Sequence, residues 1–107
     1  MAIRGIERKI RIRPNTAGAS PKVVFDPNPL TADSGDQIFW VNEDSQPHWP
    51  GRPDGTGNIN KTFYMPNQIA PNGDVSSGFS PSVPGPLPYA CSLPGHENET
   101  GTINVVS

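Results

Sequence analysis

Short runs of β-branched and aromatic residues, set apart by prolines and glycines, predict an all-β fold, an antiparallel β-sandwich of about seven strands. Three observations carry this expectation. Apolar and charged residues alternate at period two where strands are expected. The prolines gather between apolar runs rather than spreading through them. No window shows the 3.6-residue apolar spacing, with caps, that marks a helix.

The elements follow in order. Ile10-Arg11-Ile12-Arg13 alternates as a half-buried strand does, and arginines on its outer face would also discourage edge-to-edge pairing. Lys22-Val23-Val24-Phe25 is a second run, stopped by Asp26-Pro27-Asn28-Pro29. Leu30 to Asp36 reads as a turn into a third strand, Gln37 to Val41. Within that strand Phe39 and Trp40 must face opposite ways, one of them into the core. Residues 42–58 read as a long irregular stretch. Strand character returns at Ile59 to Met65 and, more weakly, at Val75 to Phe79. Ser80 to Pro86 must be loop, because its prolines cannot donate to a ladder. Leu87 to Cys91 then forms a strand with Pro88 confined to an edge or entry position, and Gly101 to Val106 is the last.

The length of 107 residues fits one domain spanning 1–107. A balance of 8 Lys+Arg against 10 Asp+Glu gives a net charge of -2. That is not the basic stripe that draws a protein to nucleic acid. No apolar run approaches the roughly 18 residues of a membrane span. The start, Met1 to Gly5, does not open onto the apolar core of a secretory signal, so the chain reads as cytoplasmic or as relieved of its signal. With Gly 11 and Pro 14 the composition nears that of disordered chains. The placement of the prolines between β-type runs argues for an ordered domain instead. One cysteine cannot close an internal disulfide, so Cys91 is a core residue, a reactive thiol or a metal ligand.

The chain's two histidines and its cysteine stand in a suggestive order. His48 follows a strand end by a short loop, Cys91 ends a strand, and His96 comes five residues later in Cys91-Ser92-Leu93-Pro94-Gly95-His96. One thiolate and two imidazoles form a donor set that suits Cu(I)/Cu(II) in a trigonal site. Pro94 and Gly95 stiffen the loop between two of these donors, and Pro47 restricts the backbone that presents His48.

Tyr89 to Ile103 as a whole resembles the copper-binding loop of the cupredoxins, the plastocyanin- and azurin-like mononuclear copper proteins. Gly35-Asp36-Gln37-Ile38-Phe39-Trp40-Val41-Asn42, followed by Pro47-His48, resembles that family's strand and first-histidine loop. The likeness covers roughly Phe25 to Val106. It implies a Greek-key β-sandwich with one copper ion at one end and His48, Cys91 and His96 as strong ligands. The departure lies at the fourth place, where the family usually carries a weakly bound methionine. Here the interval after His96 reads Glu97-Asn98-Glu99-Thr100. Counting back from Gly101 puts Glu99 in the axial place. A carboxylate there is a harder, anionic donor that favours Cu(II). Water, the Pro47 carbonyl and the Gln46 amide are the other axial candidates, and Met65 reads as core. Ser92 is placed to donate towards the cysteine sulfur, and Asn98 to supply a further bond near the site.

Plainer readings stand beside these: Cys91 as buried core, His48 as an ordinary polar residue, Glu99 as an exposed loop carboxylate. The function expected is that of an electron carrier, a monomer meeting redox partners near Trp49, Leu93 and Pro94. The alternatives are a copper storage or delivery module and a copper site with an open position that reacts with a small molecule. An enzyme with a cysteine nucleophile lacks a recognisable orienting group. Arg4, Arg8, Lys9, Arg11 and Arg13 could steer an acidic partner or form a solvated strand face. The family resemblance implies a periplasmic or extracellular location.

Overall fold

The computed structural model describes residues 6–15, 23–93 and 99–106. Nine strands are defined there: β1 (Glu7–Pro14), β2 (Val23–Asp26), β3 (Leu30–Asp33), β4 (Gln37–Asn42), β5 (Pro50–Pro53), β6 (Ile59–Asn60), β7 (Asp74–Val75), β8 (Gly85–Cys91) and β9 (Thr100–Val106). They form a four-stranded sheet in the order β2-β1-β4-β7 and a five-stranded sheet in the order β3-β9-β8-β5-β6. The all-β sandwich expected from the sequence is the architecture found. Both sheets are mixed, however: β1 pairs β4 in parallel, and β3 pairs β9 in parallel.

Alternation sets the inner faces. Ile10 and Ile12 of β1, Ile38 and Trp40 of β4, and Ile103 and Val105 of β9 are buried, while Arg11 and Arg13 face out. Trp40 is wholly buried and Phe39 only partly, so the two face opposite ways as expected. The sheets meet through aromatic rings set edge to face, a favoured arrangement of their quadrupoles. Tyr89 of β8 packs this way on Phe25 of β2 at 4.8 Å and on Trp40 of β4 at 5.4 Å.

Several boundaries differ from the sequence reading, for physical reasons. β1 lies between β2 and β4 rather than at an edge. Its arginines therefore guard no edge; they form ion pairs, Arg8 with Asp36, Arg11 with Glu43, and Arg13 with Asp26. Leu30–Asp33 is a strand and not a turn, because Leu30 and Ala32 are drawn into the core beside β9. β5 lies inside the stretch expected to be irregular. Prolines bound it, yet it pairs with β8 at Pro50 and Gly51 and with β6 at Arg52 and Pro53. Gly51 is required there, since a Cβ would come within 2.6 Å of the Asn60 carbonyl oxygen. The run from Ile59 ends as a strand at Asn60. Tyr64 and Met65 are both buried there, which a continuing strand with one inner face could not achieve. Pro88 sits in the half of β8 beyond its register with β5, where one side needs no donor, as expected of an edge proline.

Candidate metal centre

β4 delivers the first part of the site. Its last residue, Asn42, is fully buried and organises the loop that follows. The Asn42 side-chain amide donates to the carbonyls of Gln46 (2.8 Å), Ala70 (3.2 Å) and Ile69 (3.3 Å). Its oxygen accepts the Asp44 amide at 3.0 Å. Beyond this knot, His48 exchanges backbone hydrogen bonds with Ile69, at 3.2 Å and 2.8 Å. The imidazole is thereby presented from a backbone fixed on two sides.

β8 and β9 deliver the second part. The Cys91 amide donates to the Glu99 carbonyl at 2.9 Å, and the Ser92 amide to the Trp49 carbonyl at 2.9 Å. These bonds lace the end of β8 to the start of β9 and to the segment that carries His48. Cys91, His48 and Glu99 are 0%, 1% and 2% exposed, which sets them apart from surface polar residues. The plainer reading of Glu99 as an exposed loop carboxylate does not hold. One donor atom from each of the three lies within 4.8 Å of the others. The Cys91 Sγ stands 3.8 Å from His48 Nδ1, which in turn stands 3.1 Å from Glu99 Oε1.

Polar groups around the donors complete the geometry. The Trp49 backbone N–H points at Cys91 Sγ from 3.5 Å. The Ser92 hydroxyl, expected to serve the sulfur, donates instead to the Trp49 carbonyl at 2.8 Å. On the far side of the ring, His48 Nε2 meets Asp44 Oδ2 at 2.8 Å. Burial works to lower the pKa of His48, but its hydrogen bonds with Cys91, Glu99 and Asp44 prevail and push it up to about 10. A proton and a metal ion would compete for the same ring nitrogen, so a metal bound here would have to displace that proton.

A thiol, an imidazole nitrogen and a carboxylate converging in the protein interior match the chemistry of a transition-metal site. The structure thus brings together His48, Cys91 and Glu99 among the residues singled out in the sequence. His96, with Pro94 and Asn98, lies outside the described residues. Met65 is buried in the core, and its carbonyl accepts the Trp49 indole N–H at 3.3 Å. Gln46 is exposed, its backbone carbonyl engaged by Asn42. Trp49 and Leu93 are each partly buried, and Lys61 Nζ lies 5.5 Å from the centre of the Trp49 ring. Asp44 was not visible as a site residue; an aspartate four residues before a histidine is too common a pattern to carry that signal.

The two sheets with a buried His, Cys and Glu cluster at one end of β4, β8 and β9 define the cupredoxin fold. The chain is similar over 92% of its length, and over 98% of the other, to the novel purple cupredoxin from Nitrosopumilus maritimus, with a TM-score of 0.73 and 24% identity. It is also similar to a mutant plastocyanin of fern, with a TM-score of 0.67 and 19% identity, covering 92% of this chain and 100% of that one. Amicyanin from Paracoccus versutus aligns with a TM-score of 0.64 and 17% identity, over 99% of this chain and 84% of that one. No family model matches the sequence, and no curated protein matches it. At these identities the likeness is one of fold. Among the described residues, no helix is long and apolar enough to cross a membrane.

Proposed function

We propose that this protein is a mononuclear copper protein that carries single electrons, with His48, Cys91 and His96 as strong ligands and Glu99 in the axial place. The observation that supports it most is the burial of Glu99 with Oε1 only 3.1 Å from His48 Nδ1, beside the Cys91 sulfur. A buried carboxylate is costly unless a positive partner compensates it. In the metal-free chain the protonated His48 ring is that partner, and a copper ion seated among the three donors would take over the role as the ring gives up its proton.

Copper bound there supplies a Cu(II)/Cu(I) couple. The protein's share of the work is to hold its donors still. Asn42 ties the His48 loop to Ile69 and Ala70, and the Cys91–Glu99 backbone bond ties two donors to each other. Ligands that cannot move keep the structural change on electron transfer small. The Trp49 amide supports negative charge on the Cys91 sulfur. Burial of Cys91, His48 and Glu99 keeps water from the donors on this side. Partners are proposed to dock near Trp49, Leu93 and Pro94, at a small and partly apolar surface suited to brief encounters. A monomeric state and a periplasmic or extracellular setting complete this reading.

A second reading, copper storage or delivery, is favoured by the anionic surroundings, since carboxylates on the donors stabilise Cu(II) and narrow the range of partners. Titration of the metal-free protein with Cu(II), followed by visible absorption and electron spin resonance, tests both. An intense sulfur-to-copper band at one equivalent, lost in Cys91→Ser, with reversible cycling at an accessible potential supports the carrier. Weak, colourless binding overturns it, and tight binding without reversible cycling favours storage.

A further inference from the structure

The ring of His48 is engaged on both edges. Nδ1 faces Cys91 and Glu99, and Nε2 meets the Asp44 carboxylate at 2.8 Å. Asp44 is not held there by chance. Its amide donates to Asn42 Oδ1 at 3.0 Å, and its carbonyl accepts the Asn72 amide at 2.9 Å. The backbone is therefore bound before and after the carboxylate, so the side chain is aimed at the ring. It is itself mostly buried, with 13% of the side chain exposed, so solvent screens it poorly.

We infer that Asp44 is the positioning residue of this site, fixing His48 as the tautomer that binds metal through Nδ1 and adding a second negative charge behind the ring. This rests on the copper reading proposed above. A neutral imidazole has one N–H and one lone pair, and the partner of the N–H decides which nitrogen is left to ligate. Once an incoming metal has displaced the Nδ1 proton that faces Glu99, Asp44, still accepting Nε2–H, would leave the Nδ1 lone pair directed to the metal position. Carboxylates behind ligating histidines act in this way and raise ligand basicity. The charge also matters by itself. An anion close to the metal stabilises the more positive oxidation state, so Asp44 lowers the Cu(II)/Cu(I) potential in the same direction as Glu99.

The experiment compares the copper-loaded wild type with Asp44→Asn, Asp44→Ala and Glu43→Gln. Three quantities are measured: copper affinity by chelator competition, reduction potential, and the coupling of the remote ring nitrogen by electron spin-echo spectroscopy. Asp44→Asn keeps an oxygen acceptor of the same shape but removes the charge. It is expected to raise the potential while the remote-nitrogen signal persists. Asp44→Ala removes acceptor and charge, so the signal should change and copper affinity should fall about 10–100-fold. Glu43→Gln removes an equal charge one residue away that binds Arg11 and Arg13, and is expected to change the potential little. Unchanged potential and unchanged remote-nitrogen coupling in both Asp44 variants would overturn the inference. So would a rise in Glu43→Gln equal to that in Asp44→Asn, because the effect would then be one of general charge. If the wild type itself fails to bind copper through Cys91, it is the function proposed above that fails, and the two failures are told apart by that first measurement.

Discussion

Cys91 and Glu99 are joined twice over: the Cys91 amide donates to the Glu99 carbonyl at 2.9 Å, and their side chains converge on the same imidazole. A single backbone contact thus sets the distance between a sulfur and a carboxylate that stand eight positions apart. Replacing the Glu99 side chain leaves this bond in place, which makes Glu99 a clean site for substitution. Glu99→Gln and Glu99→Met remove a buried anion from the copper position, so both should raise the reduction potential. Glu99→Met should also move the charge-transfer band. Spectra and potentials unchanged in both variants would exclude Glu99 as a ligand.

Asp36 governs the approach from β3 into β4, and its effect depends on pH. Its carboxylate accepts Arg8 Nε at 2.6 Å, the Ile6 amide at 3.0 Å and the Asp33 amide at 2.9 Å. The Arg8 bond first, and then the two amides, lower its pKa from 3.8 to about 2. A carboxyl whose pKa is depressed in the folded state adds stability above its unfolded value, and that stability is lost as pH falls through the folded one. Asp36→Asn should therefore melt at lower temperature than wild type at neutral pH. The gap should close between about pH 4 and pH 2, as the wild-type carboxyl takes up its proton. A gap that stays constant over that range would mean that Asp36 acts without its charge.

Gly101 and Tyr89 are direct partners across β8 and β9, and the Tyr89 ring occupies the space that a Gly101 side chain would need. The ring cannot withdraw, because it is fully buried between Phe25 and Trp40. Gly101→Ala should therefore cost about 1–3 kcal/mol, the usual penalty for overpacking a close-packed interior. Denaturant unfolding of the metal-free protein measures it. A neutral result would show that the ring has room to turn.

How much of this was legible in the sequence follows from how local each feature is. Ile10 and Ile12 declare their strand by alternation alone, and His48, Cys91 and Glu99 stand in motifs that can be read along the chain. The burial of Glu99 cannot be read there, because it depends on β8 and β9 being laced together. β3 is four residues long and β5 is bounded by prolines, so each owes its strand form to neighbours distant in sequence. Lys61 to Tyr64 shows the reverse, a run with strand composition that turns because Tyr64 and Met65 are both needed in the core. The role of Asp44, and the anchoring role of Asn42 within its motif, were silent for a related reason. The bonds that fix them in place, to Ile69, Ala70 and Asn72, span 27 or 28 positions, beyond the reach of any local pattern, and the four-residue step from Asp44 to His48 is too common to carry a signal.

Asn42 is the residue on which that silent part of the site depends. Its amide group serves three carbonyls and its oxygen one N–H, all within a side chain that is wholly buried. Asn42→Ala would leave these groups without the partner that compensates their burial, at a cost of roughly 1–3 kcal/mol. It would also free the segment that aims Asp44 and presents His48. Two effects should then appear together: a lower unfolding free energy in the metal-free protein, and weaker copper binding beyond what that loss predicts. Asn42→Asp keeps the acceptor for the Asp44 amide but turns a donor into a second acceptor facing three carbonyls, so it should be at least as damaging. If Asn42→Ala lowers stability and leaves copper affinity untouched, the loop holds His48 without it, and the His48–Ile69 backbone pair is the sufficient anchor.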